Sequence, residues 1–268
     1  MPASLPDWAP ASIDLERPNA ARVYDYLLGG ACNFASDRQF AEQLLGMMPE
    51  VREVSRRNRA FLRRAIRFCI GNGIRQFLDL GSGIPTVGNV HEVAQQQVPD
   101  CRIVYVDNEA VAVAHSELIL QQNEHAGAAQ ADLLDVDRVL AAEPVRRVLD
   151  LDQPVAILMA AVLHFVPDSA NPRAAVARYV DAMAPGSYLV LSHAAQIDLQ
   201  RAQDGWKLYD NTSTPGGGRS REEFTAFMAG TELVEPGVVY LSEWRPEAPE
   251  DAVSPERSLA YAAVGRKP

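Results

Sequence analysis

Gln76-Phe77-Leu78-Asp79-Leu80-Gly81-Ser82-Gly83-Ile84-Pro85-Thr86 decides the fold, because a short apolar run ends in an acid and then in two closely spaced glycines. The run predicts a buried strand, and the glycines predict a turn that a ligand can approach without meeting a side chain. Beyond it, Val87, Val90, Ala94 and Val98 share one helical face, so the turn is expected to feed a helix over Thr86 to Val98. The stretch reads as a nucleotide-type cofactor site. Two glycines alone leave open a plain tight turn between core elements.

Outward from this stretch, short apolar runs alternate with helical segments, the signature of a parallel sheet built from βαβ units. The runs are Phe77 to Leu80, Ile103 to Val106, Val155 to Ala161 and Tyr188 to Leu191, with a weaker strand at Ala128 to Ala131. Their near-continuous apolar character suits strands buried on both faces. Helices are expected over Glu109 to Asn123, Val136 to Leu149, Asn171 to Met183 and Arg221 to Met228. Two final strands, Gly237 to Leu241 and Ser258 to Val264, flank an acidic, proline-rich stretch from Glu243 to Glu256.

Upstream, Pro2, Pro6 and Pro10 suggest an extended arm. Pro18 is placed for the first turn of a helix ending at Gly29-Gly30, and a short helix follows over Asp37 to Gly46. Helical spacing is strongest from Pro49 to Ile70, with Val51, Val54, Phe61, Leu62, Ala65, Ile66 and Cys69 on one face. The other face carries Arg52, Arg56, Arg57, Arg59, Arg63, Arg64 and Arg67, which reads as a solvated surface. Residues 1–72 are thus expected to form an arm and helices, and residues 73–268 an α/β domain.

A hydrophobic share of 47% and a charged share of 22% over 268 residues describe an ordinary globular protein. The net charge of -10 argues against nucleic acid as the main partner, since that affinity comes from Lys and Arg. Cys32, Cys69 and Cys101 are odd in number and lack metal-ligand spacing, which fits free thiols in a reducing cytoplasm and no bound metal. No apolar run approaches the roughly 18 residues of a membrane helix, and no secretory segment is recognised, so a cytoplasmic location is expected.

Glycine spacing bears on the cofactor. A dinucleotide fingerprint requires a third glycine where Thr86 stands. An acid two residues before GxG, here Asp79, Gly81 and Gly83, instead resembles motif I of S-adenosylmethionine-dependent methyltransferases. Ligands of open α/β sheets bind beyond the carboxyl ends of the strands, so the strand ends are the test. The second strand ends in Asp107-Asn108, where an acid can accept from both ribose hydroxyls; a helix cap is the alternative. The third is followed by Asp132-Leu133, suited to the adenine amine and a ring nitrogen, although Asp132 or Asp135 also fits as a helix cap. The fourth ends at Met159-Ala160-Ala161, leaving room for a methionyl group, and His164-Phe165 follows.

Arg22-Val23-Tyr24-Asp25-Tyr26-Leu27-Leu28-Gly29-Gly30, Asn33-Phe34, Asp37-Arg38, Asn58-Arg59, the Phe77 to Thr86 stretch with its GSGxPT loop, Val106-Asp107-Asn108 and Glu235-Pro236-Gly237 carry a wider likeness. From about Ile13 to Gly265 the chain resembles the actinobacterial-type S-adenosyl methyltransferase family, methyltransferase family 19. Ala31-Cys32 stands where that pattern carries a charged pair such as Lys-Asp. The resemblance implies a Rossmann-like class I methyltransferase sheet, mostly parallel with a C-terminal antiparallel hairpin, plus a helical N-terminal cap. It implies S-adenosyl-L-methionine as cofactor and S-adenosyl-L-homocysteine as product, and specifies no acceptor. Tyr24, Asp25, Tyr26, Asn33, Arg57, Asn58 and Arg59 would then lie on segments folding over the cofactor, an arginine pairing with the methionyl carboxylate and a tyrosine holding the sulfonium region. Ser82 belongs to the same loop.

Methyl transfer mainly requires alignment of donor and acceptor, so a base is optional. His164, Tyr24 or Asp25 would take a proton if one must leave. Trp206, Tyr209 and Pro215-Gly216-Gly217-Gly218, in an expected mobile loop from Ala194 to Ser220, are candidates for contacts with a small-molecule acceptor. His91, His115, His125 and His193 receive no role. A non-catalytic S-adenosylmethionine sensor would keep the same nucleoside-binding residues. A nicotinamide enzyme fits less well, given Thr86 and the missing Tyr-x-x-x-Lys pair.

Overall fold

The computed structural model describes residues 14–85, 88–197, 200–210, 212–248 and 255–268. The proline-rich arm and the positions of Thr86 and Val87 lie outside the described residues. The chain opens with helices α1 (Ala20–Leu27), α2 (Ala35–Met47) and α3 (Val51–Gly71). Asn19 caps α1 by accepting from the Ala21 amide, so Pro18 precedes the helix instead of lying in its first turn.

The central elements follow as β1 (Gln76–Leu80), α4 (Val90–Gln97), β2 (Arg102–Asp107), α5 (Ala110–Leu120), β3 (Ala126–Gln130), α6 (Val136–Ala141), α7 (Glu143–Val148) and β4 (Ala156–Ala160). Then come α8 (Pro172–Ala182), β5 (Tyr188–Ala194), α9 (Gln200–Tyr209), α10 (Arg221–Thr225), β6 (Glu232–Leu233), β7 (Val239–Tyr240) and β8 (Ala260–Arg266). Among the described residues these strands form one sheet ordered β3-β2-β1-β4-β5-β8-β6, with β7 also paired to β8. The first five strands are parallel, and β8 runs antiparallel to β5, β6 and β7.

Alternation along the strands feeds two cores. Leu78, Val104, Ile157 and Leu189 face α6, α7, α8 and α10. Phe77, Ile103, Leu158 and Val190 face α3, α4 and α5. Each sheet face is therefore covered, as a doubly wound parallel sheet requires. Strand order reverses between β1 and β4, which places the ligand crevice at their carboxyl ends.

Several expected elements take a different form. The single helix over Val136 to Leu149 is two, because Pro144 enters the first turn of α7 and cannot continue a preceding helix. The helix after the glycine turn starts at Val90 with Asn89 as its cap, later than the expected start at Thr86. The Ala194 to Ser220 loop contains α9, whose Trp206 and Tyr209 pack with Leu44 and Phe40 of α2. Strand β6 was not anticipated; two residues carry too short a pattern to read. On α3, Arg64 is buried and donates to the carbonyls of Trp244 (2.8 Å) and Leu241 (2.6 Å), so it leaves the solvated arginine face.

Candidate functional site

The turn after β1 is held in left-handed backbone, with φ of 69° at Gly81 and 65° at Gly83. A side chain is disfavoured there on conformational grounds. At Gly81 space forbids it as well, because a Cβ would fall 2.2 Å from Val162 Cγ2. The exit of β4 thus crosses directly over the exit of β1, and Ala161 adopts φ 59° to make that crossing. Gly83 N donates to Asp107 Oδ2 (2.7 Å), and Glu109 N donates to Asp107 Oδ1 (2.8 Å). Each oxygen of this buried carboxylate retains accepting capacity.

A cavity of about 400 Å³ opens above these strand ends, within the range of small-molecule sites. Its floor includes Asp79, Gly81, Ser82, Gly83, Asp107 and Asn108. Asp132, Leu133 and Ala160 also line it. Asp132 Oδ1 accepts from the Leu134 amide at 2.9 Å, which fixes the carboxylate at the cavity edge. Met159 is fully buried in the sheet core and stands outside the lining.

The roof comes from α1, α2, the N-terminal half of α3 and α9. Ser192 Oγ donates to Asn58 Oδ1 (2.6 Å), Asn58 Nδ2 donates to Tyr24 Oη (3.0 Å), and Tyr24 Oη donates to the Ser55 carbonyl (3.0 Å). This chain joins β5 to the cap through residues that all line the cavity. Arg59 lies over the Tyr24 ring at 5.7 Å, also lines the cavity, and has its Nε buried with no hydrogen-bond partner.

Four residues of the N-terminal block lie elsewhere. Asp25 is buried outside the lining and accepts from Cys32 N and Asn33 Nδ2, both at 2.8 Å. Gly30 closes that turn because a Cβ there would lie 1.9 Å from Asp25 Oδ1. Tyr26 Oη donates to Glu42 at 2.6 Å, and Arg57 pairs with Glu53 at 3.1 Å. Asp25 and Asn33 act as turn scaffolding, and Tyr26 and Arg57 hold neighbouring cap residues.

Burial sets the electrostatics. Asp79 is pushed up to about 7 by desolvation; the Arg59 guanidinium pulls it down and the Asp107 carboxylate pushes it further up. Asp107 is also raised, chiefly by burial, against the amides it accepts from. Burial raises the Tyr24 phenol. His164 is held well below its ordinary value by burial, by neighbouring His193 and by the Arg219 charge.

Sequence reasoning missed the support behind His164. Arg219 Nη1 donates to the Leu163 carbonyl (2.8 Å) and faces His193 Nε2 (2.6 Å), while its Nη2 donates to the Val166 carbonyl (2.7 Å) and Asp168 (2.8 Å). A guanidinium only donates, so His193 Nε2 carries the lone pair and Nδ1–H donates to the Ala194 carbonyl at 2.7 Å. His193 is accordingly neutral, lowered to about 4 mainly by burial. His164 Nδ1 in turn accepts from the Ala194 amide at 3.4 Å, which leaves the proton of the neutral ring on Nε2. The Gly216-Gly217-Gly218 run gave the available signal: a Cβ at Gly216 would lie 2.9 Å from the His164 carbonyl, and one at Gly218 2.6 Å from the Ala195 carbonyl.

An open sheet that reverses between β1 and β4 and admits an antiparallel β8 beside β5 is the architecture of class I S-adenosylmethionine-dependent methyltransferases. The N-methyltransferase NodS of Bradyrhizobium japonicum, solved with S-adenosyl-L-homocysteine, shares that fold at a TM-score of 0.50 and 17% identity, over 92% of this chain and 99% of its own. Residues 6–268 match the S-adenosyl methyltransferase family model, and the chain belongs to that family. Among solved structures, a candidate methyltransferase from Thermobifida fusca is 39% identical with a TM-score of 0.91, over 98% of this chain and 99% of the other. A DUF574 family protein from Streptomyces avermitilis is 35% identical with a TM-score of 0.89, over 95% and 99%. No curated protein sequence matches. The protein is an S-adenosylmethionine-dependent methyltransferase by family and fold.

Proposed function

We propose that the protein methylates a small molecule held in the cavity between the strand ends and the helical cap, with the cofactor seated on the β1 turn. The observation that carries this reading is one continuous cavity joining Asp79, the glycine turn, Asp107 and Asp132 to the apolar underside of the cap. Asp107 would accept from the ribose hydroxyls, Asp132 and Leu133 would meet the adenine edge, and Ala160 would leave space for the methionyl chain. The orphaned Arg59 Nε fits a carboxylate, and Asp79 beside it fits an ammonium. Arg59 therefore takes the role that Arg57 was expected to share. S-adenosyl-L-methionine, when bound, supplies a methyl group on a positively charged sulfur and leaves as S-adenosyl-L-homocysteine.

The chain's own residues align the partners and exclude water. The Ser192-Asn58-Tyr24 relay fixes the roof over the floor at a set distance, which is what an in-line displacement needs. Of the three side chains expected as bases, Asp25 lies outside the lining, the Tyr24 hydroxyl already donates to Ser55, and the His164 Nδ1 lone pair already accepts an amide. None of these three groups is therefore free to take a proton from the acceptor in this arrangement. Among the described residues no cluster of three metal-ligating side chains occurs.

Calorimetric titration of wild type and Arg59→Met with S-adenosyl-L-homocysteine tests the assignment. About tenfold or greater weakening is expected for loss of a charge-assisted pair. Equal affinity in a folded variant would remove Arg59 from the site.

A further inference from the structure

The cavity divides by chemistry. Its charged side chains are Arg59, Asp79, Asp107 and Asp132, and all four belong to the part assigned above to the cofactor. The remainder lies between α2, the start of α3, α9 and the turn after β4, and is walled by Leu44, Met48, Val51, Phe165, Trp206 and Tyr209. The rings are contiguous. Trp206 lies 5.4 Å from Tyr209 and 5.6 Å from His164, and Phe165 lies 5.3 Å from Tyr209 and 4.3 Å from His164.

The geometry points to an uncharged, flat aromatic molecule as the methyl acceptor, lying against the Phe165-Trp206-Tyr209 wall and accepting a hydrogen bond from His164 Nε2–H. This assignment rests on the methyltransferase reading above and specifies its substrate class. A charged group in this half would lose its hydration with no counter-charge to face, whereas an aromatic ring gains both burial and ring contacts. A sugar would leave hydroxyls without partners against Leu44, Met48 and Val51. A fixed donor follows from the tautomers: Arg219 sets His193, the Ala194 amide occupies His164 Nδ1, and the His164 proton sits on Nε2.

The wall is also held in place. Gly217 N donates to the His164 carbonyl at 2.9 Å, and Gly216 packs where a Cβ would lie 2.9 Å from both the Phe165 and Trp206 rings. A Cβ at Gly205 would lie 3.0 Å from Met48 Sδ, so α9 lies directly on α2. The slot is therefore built before any acceptor arrives, and rigid aromatic contact favours a flat molecule over a flexible one.

The experiment is calorimetry at pH about 7.5 on the full chain, first with S-adenosyl-L-homocysteine alone and then, in its presence, with 2-naphthol, 2-naphthoate and N-acetylglucosamine. These probes are respectively aromatic and neutral, aromatic and anionic, and neutral but not aromatic. The expected result is binding of 2-naphthol, at least about tenfold weaker binding of 2-naphthoate, and none of the sugar. Trp206→Ala is expected to weaken 2-naphthol at least about tenfold, and Trp206→Leu, which keeps bulk in α9, to weaken it by about threefold or more. Equal or tighter binding of 2-naphthoate or the sugar would overturn the substrate class, as would unchanged 2-naphthol affinity in both folded variants. If S-adenosyl-L-homocysteine itself fails to bind, the methyltransferase reading falls and this inference with it. If it binds while 2-naphthol does not, the inference alone falls.

Discussion

Asp107 and Asp79 show how one residue type serves two purposes at adjacent strand ends. Asp107 accepts two backbone amides, so its carboxylate is oriented before ligand arrives. Replacing it by Ala is expected to weaken S-adenosyl-L-homocysteine by about 1.5 to 3 kcal/mol, the range for hydrogen bonds to a charged group. Unchanged affinity by calorimetry would contradict the ribose assignment. Asp79 titrates differently. An unfolded aspartate releases its proton near pH about 3.9, but the folded Asp79 holds it to about 7. Between those values the folded chain binds the extra proton, so this residue's contribution to stability falls as pH rises through the window and is constant above it. His193, lowered to about 4, acts in the opposite sense, its contribution being lost as pH falls from about 6.5 toward 4. Wild type therefore mixes the two slopes, and the difference between wild type and Asp79→Asn in urea titrations isolates the first. Asp79→Asn is expected to gain on wild type as pH rises from about 5 to 8, and a constant difference would refute the raised value. Cofactor affinity carries the matching signature: it should decline as pH falls below about 7 in wild type and show no such step in Asp79→Asn.

At the scale of elements, the N-terminal block is a set of joints. Arg22 is buried and donates to Asp37 (2.8 Å), Glu109 (3.0 Å) and the Arg17 carbonyl (2.7 Å), tying α1 to α2 and to the start of α5. Arg22→Met would strand Asp37 as a buried charge without its cation, and a loss of about 3 to 5 kcal/mol in urea denaturation is expected. A loss below about 1 kcal/mol would show the joint to be dispensable. The strands were legible because burial on both faces makes them continuous apolar runs; the order of chemistry along them, Asp79, Asp107 and Asp132, was legible for the same reason. Helix α9 was not, since its face has meaning only against α2, and Gly205 in its middle lowers local helix propensity. The roles within the RVYDYLLGG block were not separable either. Tyr24 and Asp25 are adjacent and both polar-capable, and only their directions assign one to the cavity and the other to the Cys32-Asn33 turn.

At the scale of the whole molecule, α3 unites cap and sheet. Its C-terminal half places Phe61, Leu62, Ala65, Ile66 and Cys69 in the core against the sheet, and its N-terminal half overhangs the strand ends with Ser55, Asn58 and Arg59 in the cavity. Cofactor bound between floor and roof would thus brace the cap against the sheet. Saturating S-adenosyl-L-homocysteine, at about 100 times its dissociation constant, is expected to add about 2.7 kcal/mol to the stability of the whole chain in a single transition. A biphasic melt in which only part of the signal shifts would instead separate the cap from the sheet. The central claim is that this cavity holds the methyl donor, and calorimetric titration of the protein in parallel with S-adenosyl-L-methionine, S-adenosyl-L-homocysteine and NAD tests it most directly. The account predicts one-site binding of both sulfur nucleosides and none of NAD; binding of neither sulfur nucleoside, or of NAD in their place, would contradict it.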